Sequence, residues 1–359
     1  MNHADYLLRC IALASNRIGF CAPNPAVGCV VVKDNTILAE GFHFGCGHPH
    51  AEVDALEKIG DAAVGSTVYV SLEPCCHYGR TPPCTDRLIQ SRVERVYFGL
   101  LDPNPIVAGK GREKLIAAGI LCEQITVEAI QAFYLPYVQW TQTHLPYAIL
   151  KLAVSSDYKI ALAGGKPAEI TGAECSALTH LYRNNSDAIL TSINTVINDN
   201  PKMNVRRYGQ LIAKNLYVID RNAALPLEST IFETAKSITV FYAKDLQSDH
   251  LAALQHKNVR CIPISETKVG LDLKEIMQKI GEDGVHQVWI EVGDRLADAF
   301  MKNNVLNEMI LYVSPKKLGE NAMPSSVRIE SLKSSFHHLE TKKCGDDRVY
   351  RFFSLKSSS

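Results

Sequence analysis

The apolar residues in the first part of the chain follow two alternating spacings. Residues 27–32, 67–72 and 93–100 are short runs rich in branched and aromatic side chains, which is typical of buried strands. Residues 51–59 and 112–118 place apolar side chains three or four positions apart, as on one face of a helix. Because strands alternate with short helices, we predict an α/β fold in which helices cover the faces of a sheet.

The same alternation starts again after a polar segment. Residues 126–140 have a helical pattern, and residues 141–146 are polar and end at Pro146, which predicts a linker. Strand and helix patterns then alternate from residue 147 to residue 313. The chain has 359 residues, a length that fits two domains of ordinary size. We therefore predict one domain over residues 1–145 and a second over residues 146–359.

The balance of charge and the distribution of apolar residues disfavour several classes of protein. The 38 basic side chains equal the 38 acidic ones, so the chain lacks the excess of positive charge typical of nucleic-acid-binding proteins. No apolar run approaches the length of about 18 residues that a membrane span needs, and charges such as Asp5 and Arg9 interrupt the helical pattern of residues 1–18. We expect a cytoplasmic protein that binds neither nucleic acids nor membranes.

Four residues in two short motifs form the strongest chemical signal. His50 and Glu52 lie in a Pro-His-Ala-Glu run, while Cys75 and Cys84 each follow a proline. One imidazole and two thiolates suit Zn²⁺, and three protein ligands leave a fourth position for water, as in catalytic zinc sites. A carboxylate beside such a site can carry a proton between water and substrate. We predict one Zn²⁺ bound by His50, Cys75 and Cys84, with Glu52 as the catalytic acid and base.

Other interpretations of these residues remain open on the sequence alone. The zinc site is structural if Cys76, His77 or His48 closes it as a fourth ligand. Alternatively, the cysteines are unrelated core residues. The eight residues between the two predicted cysteine ligands also exceed the two in the usual element of zinc nucleobase deaminases. Deamination of a base in RNA is disfavoured because the chain has no basic stripe interleaved with aromatic residues.

One known family has the same long gap between the cysteines. Residues 72–84, Leu-Glu-Pro-Cys-Cys-His-Tyr-Gly-Arg-Thr-Pro-Pro-Cys, resemble the deaminase half of the bifunctional riboflavin-biosynthesis deaminase/reductases of the RibD type. Residues 23–28, 47–52 and 102–111 resemble that half as well. The resemblance implies a cytidine-deaminase-like, three-layer α/β/α domain. It also implies hydrolytic deamination of a small-molecule substrate, a phosphoribosylaminopyrimidine.

The resemblance implies substrate contacts in this half of the chain. Asn24 is expected to bind an edge of the pyrimidine, although a turn residue between two prolines is the alternative. His43 is expected either to contact the substrate or to end a strand. Arg80 and Thr81 are expected to bind the ribose phosphate, because a guanidinium grips phosphate through two hydrogen bonds, or else to lie in a solvated loop.

The second half of the chain resembles the reductase half of the same family, in residues 151–157, 187–192, 199–201, 291–293 and 312–319. This implies a dihydrofolate-reductase-like α/β domain that uses NADPH. Carried over by position, the substrate-binding residues are Arg183, Met203, Arg206 and Glu291, although a lone arginine is alternatively a surface charge. The NADPH-binding residues are Ala153, Thr195, Asp199, Gly293, Asp294, Arg295, Leu296, Ala297, Asp298 and Ala299.

Several departures from the family pattern fall in this second half. Tyr158 replaces a usual Gly, Glu169 a usual Trp, and Arg221 a usual Ser. Asp294 stands where Pro is common, and it would bring negative charge near the cofactor diphosphate. The alternative function is therefore a deaminase whose second domain binds a phosphopyrimidine or assembles the oligomer without reductase activity. The family also implies a homo-oligomer, a dimer or tetramer, formed through the reductase domain.

Overall fold

In the computed structural model, which describes residues 1–79 and 82–354, the chain divides into two compact units. Unit 1 spans Met1–His144 and unit 2 spans Leu145–Ser359. Each unit is built on one main sheet that carries helices, as the alternating apolar patterns predicted. No helix among the described residues is long and apolar enough to cross a membrane.

Unit 1 has a five-stranded sheet. Its strands are β1 (Gly28–Lys33), β2 (Thr36–Phe42), β3 (Thr67–Leu72), β4 (Arg95–Leu100) and β5 (Leu121–Gln124). Its helices are α1 (His3–Ala14), α2 (Ala51–Glu57), α3 (Cys84–Gln90), α4 (Lys110–Ala117) and α5 (Glu128–Thr143), with a 3₁₀ helix at Gly60–Ala63. The strand order is β2-β1-β3-β4-β5. β3, β4 and β5 run parallel, whereas β1 pairs antiparallel with β2 and β3.

Two apolar cores cover the two faces of this sheet, because successive side chains of a strand point to opposite sides. Cys29 and Val31 of β1 belong to a core shared with α2, α3 and α4. Val30 and Val32 of the same strand belong to a core shared with α1 and α5. Unit 1 is therefore the three-layer α/β/α arrangement that the family resemblance implied.

A glycine in β2 lets α2 lie very close to the sheet. A β-carbon at Gly41 would come within 2.3 Å of the carbonyl oxygen of Ala51, the first residue of α2. The Asp54 carboxylate ties the same helix to the strand, because it accepts a hydrogen bond from the Phe42 backbone N–H at 3.1 Å. Strand β2 thus fixes the place where α2 begins.

Unit 2 contains more and shorter elements. Its strands are β6 (Tyr147–Val154), β7 (Lys159–Ala161), β8 (Ala188–Ser192), β9 (Val205–Arg207), β10 (Gln210–Ile212), β11 (Asn215–Ile219), β12 (Ser237–Ala243), β13 (Arg260–Ile264), β14 (Glu266–Thr267), β15 (Gly270–Leu271), β16 (Gln287–Glu291), β17 (Glu308–Val313), β18 (Met323–Pro324), β19 (Phe336–Cys344) and β20 (Asp347–Ser354). Its helices are α6 (Ala173–Asn185), α7 (Ile193–Asp199), α8 (Ile231–Thr234), α9 (Asp249–His256), α10 (Leu273–Glu282), α11 (Asp294–Lys302) and α12 (Ile329–Leu332), with a 3₁₀ helix at Ala163–Gly165.

The main sheet of unit 2 has the strand order β13-β12-β11-β8-β16-β6-β17-β20-β19. The strands from β13 to β17 in this order run parallel, and β20 pairs antiparallel with both β17 and β19. One apolar core lies against α10 and α11, and the other against α6, α7, α8 and α9. Parallel strands place their carboxyl ends along one edge, which is where open α/β sheets bind ligands.

The predicted linker at residues 141–146 is wrong in its first half. Helix α5 continues to Thr143, and His144 ends it with a left-handed φ of 56°. The hydroxyl groups of Thr141 and Thr143 donate to carbonyl oxygens one turn back, at 2.8 and 2.7 Å, so their polar side chains are hydrogen-bonded within the helix. The antiparallel pair β19 and β20 also extends the sheet beyond the last strand that the apolar pattern predicted.

We expect Gly41→Ala to destabilise unit 1, because the added methyl group overlaps the backbone of α2. Overpacking of this kind costs about 1–3 kcal/mol. Hydrogen exchange of peptides from β2 and α2 measures the loss of local stability. Gly79→Ala is the control, since a β-carbon there has only the His77 ring within 4 Å, at 3.9 Å. Equal exchange rates in both variants would contradict the close contact.

Candidate active sites

Three side chains with metal-binding atoms converge at the ends of three elements of unit 1. His50 immediately precedes α2, Cys75 lies three residues beyond β3, and Cys84 is the first residue of α3. Their ligand atoms all lie within 4.8 Å of one another. His50 Nδ1 is 3.2 Å from Cys84 Sγ and 3.5 Å from Cys75 Sγ. The fold therefore brings together the three residues predicted as zinc ligands.

The hydrogen bonds of the two thiols fit a cation-binding site. Hydrogen bonds from the Cys84 thiol and from His50 lower the pKa of the Cys75 thiol despite its burial. The Cys84 backbone N–H also donates to Cys75 Sγ, at 3.3 Å. The pKa of Cys84 is raised, because its thiol donates to Cys75 and is buried. One imidazole and two sulfur atoms at this spacing fit Zn²⁺, whose charge favours both thiols in their deprotonated form.

The group of ligand atoms has three members. Within the part of the chain that the structure describes, no further His, Cys, Asp or Glu joins it. Cys76, His77 and His48, the candidates for a fourth ligand, are therefore outside the group. Three ligands leave room for a water at the metal, which is the arrangement of catalytic rather than structural zinc.

Glu52 places a titratable carboxyl beside this group. The residue lies in the first turn of α2 and is 3% exposed. Burial, with a further contribution from the Cys75 thiolate, raises the pKa of Glu52 to about 7. A carboxyl that titrates near neutrality can both accept and return a proton at physiological pH.

A cavity of about 360 Å³ opens onto these residues, a volume suited to a small molecule. His50, Glu52 and Cys75 form part of its wall, and so do Asn24 and His43, the predicted substrate-binding residues. The other two residues predicted to bind substrate here, Arg80 and Thr81, lie outside the described residues.

Unit 2 holds a buried ion pair between two of the residues predicted to bind substrate. Arg183 of α6 forms two hydrogen bonds with the Glu291 carboxylate, at 2.5 and 2.9 Å. Arg183 Nη1 donates to the Asn204 carbonyl oxygen, and Arg183 Nη2 lies 3.7 Å from Met203 Sδ. Burial acts to raise the pKa of Glu291, but Arg183 outweighs it and lowers the value to about 2. Trp289 Nε1 donates to the same carboxylate at 2.7 Å.

A lysine that the sequence did not predict lies near this pair. Lys151 of β6 has its ammonium group 5.3 Å from the centre of the Tyr312 ring. Burial lowers its pKa, while Glu291 acts in the opposite direction. Lys151 and Arg183 both interact electrostatically with the Glu291 carboxylate, and two cations with one carboxylate favour an anionic ligand. Arg206, the remaining predicted residue, lies on β9 with an exposed side chain.

The residues predicted to bind NADPH follow the carboxyl edge of the sheet in unit 2. Ala153 lies near the end of β6, Thr195 and Asp199 lie in α7 after β8, and Gly293 follows β16 and precedes α11. No side chain caps α11, and a β-carbon at Gly293 would meet no heavy atom within 4 Å. This helix N-terminus therefore has room for a phosphate group and uncapped N–H groups to bind it, which fits a dinucleotide.

Asp294 does not direct an unpaired charge at this edge. Its carboxylate accepts hydrogen bonds from Ser325 Oγ at 2.5 Å and from the Ser326 backbone N–H at 2.8 Å. These two donors partly offset the negative charge at the start of α11. The expected conflict with a cofactor diphosphate is therefore reduced by the loop that precedes α12.

The other predicted residues of α11 have different surroundings. Arg295 is exposed, and Asp298 pairs with Lys302 at 2.6 Å. The three apolar members of the predicted set pack in or against a core of unit 2: Leu296, Ala297 and Ala299.

Comparison with known proteins decides the family. Residues 1–100 match the cytidine and deoxycytidylate deaminase zinc-binding region, and residues 146–350 match the RibD C-terminal domain. The riboflavin biosynthesis protein RibD of Aquifex aeolicus is 35% identical over 97% of both chains, and that of Escherichia coli is 36% identical over 90% of both. This chain belongs to the RibD family.

Solved structures of RibD proteins agree with this assignment. The Acinetobacter baumannii RibD structure is 34% identical, covers 99% of both chains and has a TM-score of 0.87. The Thermotoga maritima deaminase/reductase is 27% identical, covers 98% of this chain and 99% of its own, and has a TM-score of 0.83. The predicted fold class is confirmed. The chain is a bifunctional enzyme with a zinc-binding deaminase domain and an NADPH-dependent reductase domain of the RibD type.

The structure gives a reason for the glycine that RibD proteins usually have after the first reductase strand. Tyr158 occupies that position with a left-handed φ of 54°, which glycine adopts without strain. Its ring lies 4.8 Å from the Arg328 guanidinium, so packing compensates in part. Of the other departures from the RibD pattern, Glu169 is exposed, and Arg221 pairs with Glu266.

Two polar residues of the RibD deaminase cavity were not predicted. Asp102 and Asn104 both line it, just beyond the end of β4. Burial raises the pKa of Asp102 to about 6, and its carboxylate accepts from the Tyr137 hydroxyl at 3.1 Å. The Asp-Pro-Asn-Pro run marked this segment in the sequence, but only the parallel pairing of β3 and β4 places it at the same cavity as the predicted zinc ligands.

Glu73 holds the segment that carries these two residues. Its carboxylate is 3% exposed and accepts from the backbone N–H groups of Asp102, Gly109 and Arg112 at 3.3, 2.9 and 3.1 Å. Two of these donors belong to the start of α4, which no side chain of its own caps. One buried side chain thus connects the end of β3, beyond which Cys75 lies, to the segment that contributes Asp102 and Asn104 to the cavity.

We expect Glu73→Gln to raise the KM of deamination by about 10- to 100-fold, because an amide N–H₂ must oppose at least one backbone donor at a cost of about 1.5–3 kcal/mol. Steady-state kinetics measures this, and Glu57→Gln, an exposed position on α2, is the control. Zinc content should remain at one per chain. An unchanged KM would show that Glu73 does not position the segment.

Proposed function

We propose that this chain deaminates 2,5-diamino-6-(5-phosphoribosylamino)pyrimidin-4-one and then reduces the ribosyl group of the product to ribityl with NADPH. The deaminase domain is residues 1–145 and the reductase domain is residues 146–359. The observation that carries the proposal is the group of His50, Cys75 and Cys84 beside the buried Glu52, at the wall of a cavity of small-molecule size. The solved Thermotoga maritima relative is named as the enzyme of these two reactions.

In the deaminase domain the protein residues bind the metal, orient the ring and move protons. His50, Cys75 and Cys84 would hold Zn²⁺, which when bound would activate a water for attack near neutral pH. Glu52 takes a proton from the attacking water and delivers it to a ring nitrogen, then carries the proton of the added hydroxyl to the amine, so that ammonia leaves and a carbonyl remains. Asn24 and Asp102 contribute hydrogen-bonding groups to the cavity wall, and Arg80 with Thr81 receives the ribose phosphate.

In the reductase domain NADPH, when bound, would supply the hydride for C1 of the sugar, while the bond from C1 to the ring oxygen opens and that oxygen takes a proton. Gly293 and the first turn of α11 receive the cofactor diphosphate, with Ala153, Thr195 and Asp199 along the same sheet edge. Arg183 and Glu291 form a fixed polar wall beside Met203. Arg206 has an exposed side chain on β9, which suits binding of the substrate phosphate.

Assembly and compartment are part of the proposal. We expect a dimer or tetramer formed through the reductase domain, active in the cytoplasm. The 11 cysteines are all free thiols, which is consistent with a reducing compartment. Light scattering of the purified chain measures the oligomeric state.

Replacing Glu52 by Gln should strongly slow deamination while leaving the metal in place. We expect the rate to fall by about 10²- to 10⁴-fold, the usual contribution of a general acid and base. Zinc analysis should still give one ion per chain, and the variant should still oxidise NADPH with the deaminated substrate. Retained deamination would refute the role of Glu52, and a wild-type chain without zinc would refute the mechanism.

Two neighbouring arginines of β9 provide a matched test of the reductase site. Arg206 and Arg207 point to opposite sides of the strand. We expect Arg206→Ala to raise the KM of the deaminated substrate about 10- to 100-fold, the effect of losing a charged hydrogen bond of about 1.5–3 kcal/mol. Arg207→Ala should change it little, and NADPH affinity by calorimetry should stay the same in both. Equal effects of the two changes would remove the phosphate role of Arg206.

A further inference from the structure

Three residues form a hydrogen-bonded chain at the wall of the deaminase cavity. Asn24 Nδ2 lies 3.1 Å from His43 Nε2, and His43 Nδ1 lies 3.0 Å from the Pro49 carbonyl oxygen. His43 is 2% exposed, and its ring meets the His50 ring edge-on with 5.1 Å between centroids. Both Asn24 and His43 line the cavity.

The Pro49 carbonyl determines the tautomer of His43. A carbonyl oxygen can only accept a hydrogen bond, so the proton of the neutral ring must be on Nδ1. Burial disfavours the charged ring, which leaves a lone pair on Nε2 to accept from Asn24. Both ring nitrogens are then engaged by the protein, and neither is left to contact a substrate.

This tautomer in turn fixes the side-chain amide of Asn24. The N–H₂ group must face His43, because a flipped amide would set its carbonyl oxygen against the Nε2 lone pair and lose the hydrogen bond. The loss of such a bond between partly buried groups costs about 1–3 kcal/mol. The amide oxygen Oδ1 is therefore the atom of Asn24 that remains for a ligand.

We infer that His43 is a positioning residue that holds Asn24 with its Oδ1 available to the ligand, so that this wall accepts a hydrogen bond and selects a heterocycle that presents an N–H donor there. The inference rests on the proposed deaminase activity and adds the polarity of one contact to it. A ring with only an acceptor at that edge leaves two acceptors facing each other, which polar sites reject strongly.

A double-mutant cycle tests whether His43 acts through Asn24. The variants are Asn24→Leu, His43→Leu and the double change, all in the full zinc-loaded chain and assayed for deamination of the diaminopyrimidine. We expect each single change to raise KM about tenfold, the equivalent of about 1.4 kcal/mol, with kcat and zinc content little altered. The double variant should be no worse than Asn24→Leu alone. Additive effects would overturn the inference, because His43 would then contribute independently of Asn24.

His43→Gln is the conservative variant, since its amide offers one donor to Pro49 and one acceptor to Asn24. We expect it to recover most of the KM lost in His43→Leu, and no recovery would count against the positioning role. Nitrogen-15 NMR of the histidine rings provides a readout that does not depend on activity. The inference predicts a neutral His43 protonated at Nδ1, and a ring protonated at Nε2 would overturn it. Failure of the wild-type chain to deaminate the substrate would instead refute the proposed function.

Discussion

The convergence of one imidazole and two thiols within 4.8 Å is the constraint on which unit 1 depends. These groups come from three segments separated by at least nine positions in the chain, and each lies where an element begins or where a strand has just ended. Without a cation, two adjacent thiols cannot easily carry two negative charges. The pKa of Cys75 is therefore lowered while the pKa of Cys84 is raised. A bound divalent cation removes that conflict and ties the three segments together.

The surroundings of this cluster follow from the same arrangement. Helix α2 can deliver His50 and Glu52 to the cavity because Gly41 lets it lie against β2. Burial of Glu52 beside a thiolate brings its pKa to the range in which a proton can be both taken and returned. Glu73 then connects the end of β3, beyond which Cys75 lies, to the segment that contributes Asp102 and Asn104 to the cavity. Unit 2 uses a different principle, a row of polar groups and a helix N-terminus at the carboxyl edge of a parallel sheet.

The group of His50, Cys75 and Cys84, with Glu52 beside it, could be predicted from the sequence because each residue lies in a short motif whose chemistry is local. Asp102 could not be assigned to the cavity, since only the pairing of β4 beside β3 brings it near the metal. Lys151 was missed for a similar reason. Its significance comes from its interaction with the ion pair of Arg183 and Glu291, which lie on α6 and β16. The linker prediction failed at residues 141–143 because α5 continues through them, with the threonine hydroxyls hydrogen-bonded to the backbone of the same helix. Asp294 was expected to repel a cofactor phosphate, but its carboxylate accepts hydrogen bonds from the Ser325 hydroxyl and the Ser326 backbone N–H.

Zinc-edge X-ray absorption of the purified full chain tests the central claim most directly, because it counts the atoms bound to the metal. A catalytic site of the kind described here predicts one histidine nitrogen, two sulfur atoms and one oxygen from solvent. A third sulfur, or a second imidazole, would mean that Cys76, His77 or His48 closes the site. That result would contradict the account, since a zinc ion with four protein ligands has no position from which to supply a nucleophile.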